Sequence, residues 1–205
     1  MAWTKSKIVM VAVAGLLLVS GTAAIILLHE GKSMRSLRTE WSVIRGDQSQ
    51  WSFAGGKIMA HSFGGETILA SRSQYGDVTF SAVAGSLDMA ASLAIRLQDA
   101  DNGYFIVFAP ANTRVNPNGY ILLAKRISGA QTPIGIYQKQ KVLDVGHSAR
   151  IKVVAKGPAI EVYLNGDKVI QAEDATFATG YLGLRVAGYS QSYPCNATYS
   201  RVNFY

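Results

Sequence analysis

Residues 151–170 read IKVVAKGPAIEVYLNGDKVI. Ile151, Val153 and Ala155 alternate with Lys152, Val154 and Lys156, and then Ile160, Val162 and Leu164 alternate with Glu161 and Tyr163. A period of two sends one set of side chains to a core and the other to solvent, so each run predicts a half-buried strand. Gly157-Pro158 breaks the first run and Asn165-Gly166-Asp167 the second. Asn-Gly between apolar runs is a strong hairpin signal, because both central residues of the tight turn need φ > 0. This stretch therefore predicts three consecutive antiparallel strands.

The same grammar extends outward. Leu93, Ile95 and Leu97 alternate with Ala94, Arg96 and Gln98, which predicts that the three apolar residues share a core face and that Arg96 points outward. Residues 78–83 (VTFSAV) and 104–108 (YFIVF) have the branched and aromatic character that strands favour. Gly55-Gly56, Asn102-Gly103 and Asn118-Gly119 mark further turns. From Trp41 onward turn residues recur every few positions, and no amphipathic helix of useful length interrupts them. The fold expected is all-β, with over a dozen short strands in two packed antiparallel sheets. Only 16% of the 205 residues are charged, while 20 are glycine and 10 tyrosine, a composition that suits such a domain and argues against disorder.

The first forty residues differ. Ile8 to Leu28 is an uncharged apolar run, IVMVAVAGLLLVSGTAAIILL. As a helix it spans about 30 Å, the thickness of a bilayer core. It outlasts the apolar region of an ordinary signal peptide, and Ile25-Ile26-Leu27-Leu28 continues past the small residues at Gly21-Thr22-Ala23, so a retained anchor is the reading preferred over a cleaved leader. The organisation expected is a tail over 1–7, a transmembrane anchor over 8–28, a basic juxtamembrane linker over 29–40 and a β-sandwich over 41–205. Of the formal charge of +7, residues 1–38 carry +4, where Lys and Arg can meet anionic headgroups. A short leading tail before a large C-terminal domain places the domain on the exported side of the membrane.

Several function classes drop out. The folded part has no basic stripe interleaved with aromatics, which argues against nucleic acid. No glycine-rich loop follows a strand and opens a helix, which argues against a nucleotide. Cys195 is the only cysteine, so neither an internal disulfide nor a cysteine zinc site can form, and a lone, partly buried thiol is expected. Asn196-Ala197-Thr198 matches the glycosylation acceptor pattern and is read as chance. His61 and His147 fall on separate predicted strands without a shared motif.

Five segments, in order, carry a resemblance. They are Trp41-Ser42-Val43 with Trp51-Ser52-Phe53-Ala54-Gly55-Gly56-Lys57-Ile58; Tyr75-Gly76-Asp77-Val78-Thr79-Phe80; Leu93 to Asp99 with Asn102-Gly103-Tyr104; Lys152 to Gly157 with Val162-Tyr163-Leu164-Asn165-Gly166; and Gly180-Tyr181-Leu182-Gly183-Leu184-Arg185. Together they resemble the concanavalin-like lectin and glucanase jelly rolls, laminin-G-like domains included, and most nearly the bacterial group named for 3-keto-disaccharide hydrolases. The resemblance covers about residues 41–205 and implies a jelly roll whose concave sheet faces a glycan or glycoside. The E-x-D-x-x-E strand of the lectin-fold glucanases does not occur, since Glu30, Glu40, Glu66, Glu161 and Glu173 stand apart.

Candidate site residues follow. Arg96 offers a planar fork for sugar hydroxyls, or an ion pair with a neighbour such as Glu161. Tyr104 offers an aromatic face for a sugar ring, or a half-buried core position. Asp99, Asp101 and Asn102 can belong to a ligand site or brace their own turn. Asp99 and Asp101 are also the weak candidates for a pair of glycosidase carboxylates and for structural calcium; no other cofactor is expected. The function expected is a membrane-anchored domain that recognises carbohydrate or glycoside. A glycoside hydrolase acting on 3-keto-disaccharides is the alternative, and a structural protein-interaction domain of the cell envelope is the third reading.

Overall fold

The structure is a computed structural model that describes residues 38–85, 87–113, 117–139, 143–188 and 194–205. The expected tail, the anchor over 8–28 and most of the linker lie outside the described residues. Among the described residues no helix is long and apolar enough to cross a membrane.

Fourteen strands are described: β1 (Trp41–Arg45), β2 (Trp51–Ala54), β3 (Lys57–Ser62), β4 (Gly65–Tyr75), β5 (Val78–Gly85), β6 (Ala90–Leu97), β7 (Gly103–Ala109), β8 (Tyr120–Ile127), β9 (Ala130–Tyr137), β10 (Ala149–Lys156), β11 (Ala159–Leu164), β12 (Asp167–Glu173), β13 (Gly180–Gly188) and β14 (Cys195–Phe204). They form two seven-stranded antiparallel sheets. The first runs β1-β4-β13-β6-β7-β8-β9 and the second β12-β11-β10-β5-β14-β3-β2. The stretch that predicted the fold is now β10, β11 and β12. Ile151 faces Leu164 and Lys156 faces Ala159 across the first hairpin. Asn165 and Gly166 take φ +53° and +107° in the second turn, as the Asn-Gly signal requires.

The core lies between the sheets. Leu93, Ile95, Tyr104, Ile106 and Phe108 from the first meet Phe80, Ile151, Val153, Ile160, Val162 and Tyr199 from the second, all 0% exposed. Each such side chain contributes about 1.5–3 kcal/mol of burial free energy. Cys195 belongs to this core and is fully buried rather than partly so, and burial pushes its thiol up to about 11.

Leu97 breaks the expected alternation. Between β6 and β13, Ala94 pairs with Gly183 and Leu97 with Tyr181. Two residues, Ile95 and Arg96, therefore oppose Leu182 alone, which is a β-bulge. Arg96 sits at φ +52°, a conformation unusual for a residue with a Cβ. The extra residue flips the parity of the strand. Leu97 joins a second apolar cluster on the outer face of the first sheet, with Ile68, Ala70, Ala94, Ala100, Phe105 and Val107. Gly180 makes the bulge feasible, because a Cβ there would collide with the Arg96 backbone.

The bulge also overturns the expectation that Arg96 lies on the sheet's outer surface. It is 1% exposed. Its Nε donates to Gly76 O at 3.2 Å and its Nη1 to Phe177 O at 3.2 Å, so one guanidinium ties β6 to the turn before β5 and to the loop between β12 and β13. The nearest carboxylate is Asp77, at 3.8 Å. Glu161 instead lies on the second sheet and pairs with Lys168 at 3.0 Å. Losing this buried charge leaves two carbonyls without their donor, so Arg96→Ala is expected to lower unfolding stability by about 2–4 kcal/mol. Urea denaturation followed by circular dichroism measures this, and an unchanged midpoint would contradict the bracing role.

Candidate functional site

The candidate residues Arg96 and Tyr104 converge on Phe177, but inside the molecule. Tyr104 is 0% exposed, so it cannot stack on a sugar. The cause is strand parity: β7 turns Tyr104 inward together with Ile106 and Phe108. Its hydroxyl donates to the Asp174 carboxylate at 2.6 Å and accepts the Phe177 amide at 3.2 Å. Lys125 reaches the other Asp174 oxygen at 2.5 Å. Burial alone would raise the Asp174 carboxyl, but hydrogen bonds from Lys125, Thr176 and Tyr104 hold it well below the usual range. Burial, then the bond to Asp174, raises the Tyr104 phenol. Arg96 and Tyr104 thus brace the β12–β13 loop from beneath.

Asp99 and Asn102 serve their own turn. Asp99 Oδ1 accepts the Asp101 amide at 2.7 Å and Asn102 Nδ2 at 2.9 Å, and Asn102 Oδ1 accepts the Ser128 amide at 2.9 Å. Asp101 looks elsewhere, to Arg45 at 2.5 Å. Among the described residues no group of three or more His, Cys, Asp or Glu side chains gathers as metal ligands. His61 lies on β3 and its Nδ1 donates to Asn196 Oδ1, whereas His147 lies in the turn before β10, not on a strand.

Sequence reasoning missed a different constellation. On the outer face of the first sheet, Glu66 of β4 receives three arginines. Arg126 of β8 grips it with both terminal nitrogens, at 2.8 and 3.1 Å. Arg185 of β13 donates Nε at 2.5 Å, and Arg45 of β1 closes the third side. Arg45 then bridges to Asp101, Arg126 to Ala100 O at 3.0 Å, and Arg185 to Ser92 Oγ at 3.3 Å. The ring of Phe105 forms the floor, its centroid 4.4 Å from the Arg126 guanidinium carbon and 5.8 Å from that of Arg185. Arg126 Nε is buried without a hydrogen-bond partner.

This geometry carries information about the sheet. Three strands, β13, β6 and β7, lie between β4 and β8. In a flat sheet the two would be about 19 Å apart, at 4.8 Å per strand. Glu66 and Arg126 side chains touch across this span, so the sheet curves toward its outer face, which is concave. The apolar cluster around Phe105 lines the bend, and Tyr120, Leu122 and Tyr181 pack at its margins, partly exposed.

Desolvation alone would raise the Glu66 carboxyl, yet the Arg126 hydrogen bond and the Arg185 charge bring it down to about 2. The sign is that of a depressed acid: the stabilisation is present above the ordinary value of 4.5 and is lost as pH falls through about 2. Glu66→Gln is expected to cost on the order of 3 kcal/mol at neutral pH, and the gap from the native chain should close toward pH 2. Urea unfolding across that range tests this; a gap independent of pH would refute it.

No protein-family model matches the sequence, and no curated protein matches it. Solved structures do match its shape. The carbohydrate-binding module CBM66 from Bacillus subtilis superposes with TM-score 0.67 at 23% identity, over 80% of this chain and 94% of that one. An alginate lyase of polysaccharide lyase family 7 gives 0.56 at 11% identity, over 82% and 94%. A GH43 protein from Bacillus licheniformis gives 0.59 at 15% identity; 80% of this chain corresponds to 36% of that one. Two stacked antiparallel sheets of seven strands, the first curved, with this likeness in outline, make the domain a jelly-roll β-sandwich.

Proposed function

We propose that the domain is a carbohydrate-recognising module whose ligand lies along the concave face of the first sheet. The observation that carries the reading is the Glu66 constellation: fixed guanidinium donors and an ionised carboxylate, side by side, in a concave surface whose margins carry the partly exposed Tyr120, Leu122 and Tyr181. A sugar hydroxyl both donates and accepts, so adjacent donors and acceptors at fixed spacing suit it, while aromatic and aliphatic groups suit the apolar face of the ring. The jelly-roll outline shared with a carbohydrate-binding module supports the same reading. Arg45 is the most accessible of the three arginines, with its side chain 33% exposed, and Arg185 lies deeper at 11%.

Glycoside hydrolysis, on 3-keto-disaccharides or related compounds, is the second reading. Glu66 and Asp101 are the carboxylates that come together, since both bind Arg45. The Arg45 guanidinium fills the space between them, where a glycosidase would seat the scissile bond. A carboxyl near 2 also holds no proton to give at neutral pH, as a general acid must. Binding is therefore favoured over turnover. In this proposal the apolar run 8–28 tethers the module to a membrane with its domain exported, which raises the local concentration of a weak binder at the envelope surface.

A glycan array probed with the full chain in lipid nanodiscs, followed by calorimetry on the hits, tests the proposal. Selective binding is expected, weakened at least tenfold by Arg45→Ala or Arg185→Ala and unchanged by Tyr163→Ala on the opposite sheet. Absence of any saccharide ligand, or binding indifferent to both arginines, would overturn it.

A further inference from the structure

The outer face of the second sheet carries a polar hollow near its β2 margin. Strand β3 sends Ile58, Ala60 and Ser62 into the sandwich and leaves Met59 and His61 outside. Two residues along a strand, they stand about 6.6 Å apart at their backbones. Across the ladder Met59 faces Ser52 of β2 and Thr198 of β14, and His61 faces Asn196 of β14. These five side chains line a hollow of about 270 Å³. Organic ligands usually occupy about 300–1,000 Å³, so the hollow suits something smaller.

A chain of hydrogen bonds fixes the imidazole. Asn196 Nδ2 donates to Asp88 Oδ2 at 2.5 Å, and an amide nitrogen only donates, so a carboxylate sets which way the amide points. Its Oδ1 therefore faces His61, and a carbonyl oxygen only accepts. The ring proton sits on Nδ1, and in the neutral imidazole Nε2 keeps its lone pair. Phe63, 58% exposed, stands edge-on against the ring with centroids 3.9 Å apart and restricts its rotation. Metal-binding histidines are held in this way: the far ring N–H donates to an anchored oxygen, which fixes tautomer and direction.

The second donor beside it is a thioether. Met59 is unbranched, with three rotatable bonds, so its sulfur can swing toward the ring of His61. Thioether sulfur is a soft donor that favours copper(I), and imidazole suits the same metal. Zinc draws instead on thiolate, imidazole and carboxylate. We propose that Met59 Sδ and His61 Nε2 bind a soft monovalent cation of the copper(I) class. Asn196 and Asp88 are positioning residues, and Asp88 places a negative charge behind the site. The site lies on the sheet opposite the Glu66 constellation and does not depend on the carbohydrate reading.

The test uses the full chain, with isotopically labelled methionine methyls, in phosphatidylcholine nanodiscs. Silver(I) nitrate in chloride-free buffer is the air-stable probe. The Met59 methyl signal is assigned by its loss in Met59→Leu. Silver is expected to shift that signal saturably, and zinc nitrate is not. His61→Gln should weaken the response at least tenfold; the side chain lies on the outer face, so the core stays intact. Asn196→Ala, which frees the ring, should weaken it several-fold. Cys195→Ala removes the thiol, a rival ligand for silver, and should leave the response unchanged. No Met59 shift, an equal response to zinc, a response undiminished by His61→Gln, or one lost with Cys195 would overturn the proposal.

Discussion

A single carboxylate joins strands from across the curved face of the first sheet. Glu66 lies three strands from Arg126, yet the two are joined through both terminal guanidinium nitrogens. Arg185 and Arg45 complete the ring, and Arg45 extends it to the tip of the β6–β7 hairpin at Asp101. Glu66, Arg126 and Arg185 are largely withdrawn from water, and removing one partner of such a set strands the others. The same set of ion pairs covers Phe105 and ties the hairpin tip to β1. Curvature of this kind also prepares a surface before any ligand arrives, which reduces the ordering cost of binding.

Beneath that surface a second set of polar contacts fixes one end of the sandwich. Arg96 and Tyr104, from neighbouring strands, reach the same loop between β12 and β13 and end on Phe177 and Asp174. Lys125 supports Asp174 from β8. The residues that looked most like ligand contacts therefore act on the protein's own backbone. Buried polar groups of this kind restrict a fold to one arrangement when every member is satisfied.

The difference between what could and could not be read from the sequence follows the range of each signal. Strand existence and hairpin turns are local, so residues 151–170 gave β10 to β12 with the right faces, and Asn165-Gly166 gave its turn. Sheet order is not local: β4 beside β13 and β5 beside β14 unite segments more than a hundred residues apart. Arg96 was misplaced because one extra residue in β6 reverses inside and outside, and no neighbouring residue announces it. Arg185 entered the sequence reading only as the end of a segment that carries the resemblance. Its meeting with Glu66 was not legible, since that depends on how far a sheet bends.

Among the described residues the sandwich has four edge strands, β1 and β9 in one sheet and β12 and β2 in the other. An unpaired edge can template strand after strand of neighbouring molecules. Here β1 carries an irregularity between Val43 and Arg45, β2 is only four residues long, β9 contains Pro133, and β12 begins with Asp167-Lys168 beside a register shift. Each device spoils the regular ladder on which polymerisation would grow. A neighbouring copy that meets one of these margins finds an interrupted ladder in place of a template.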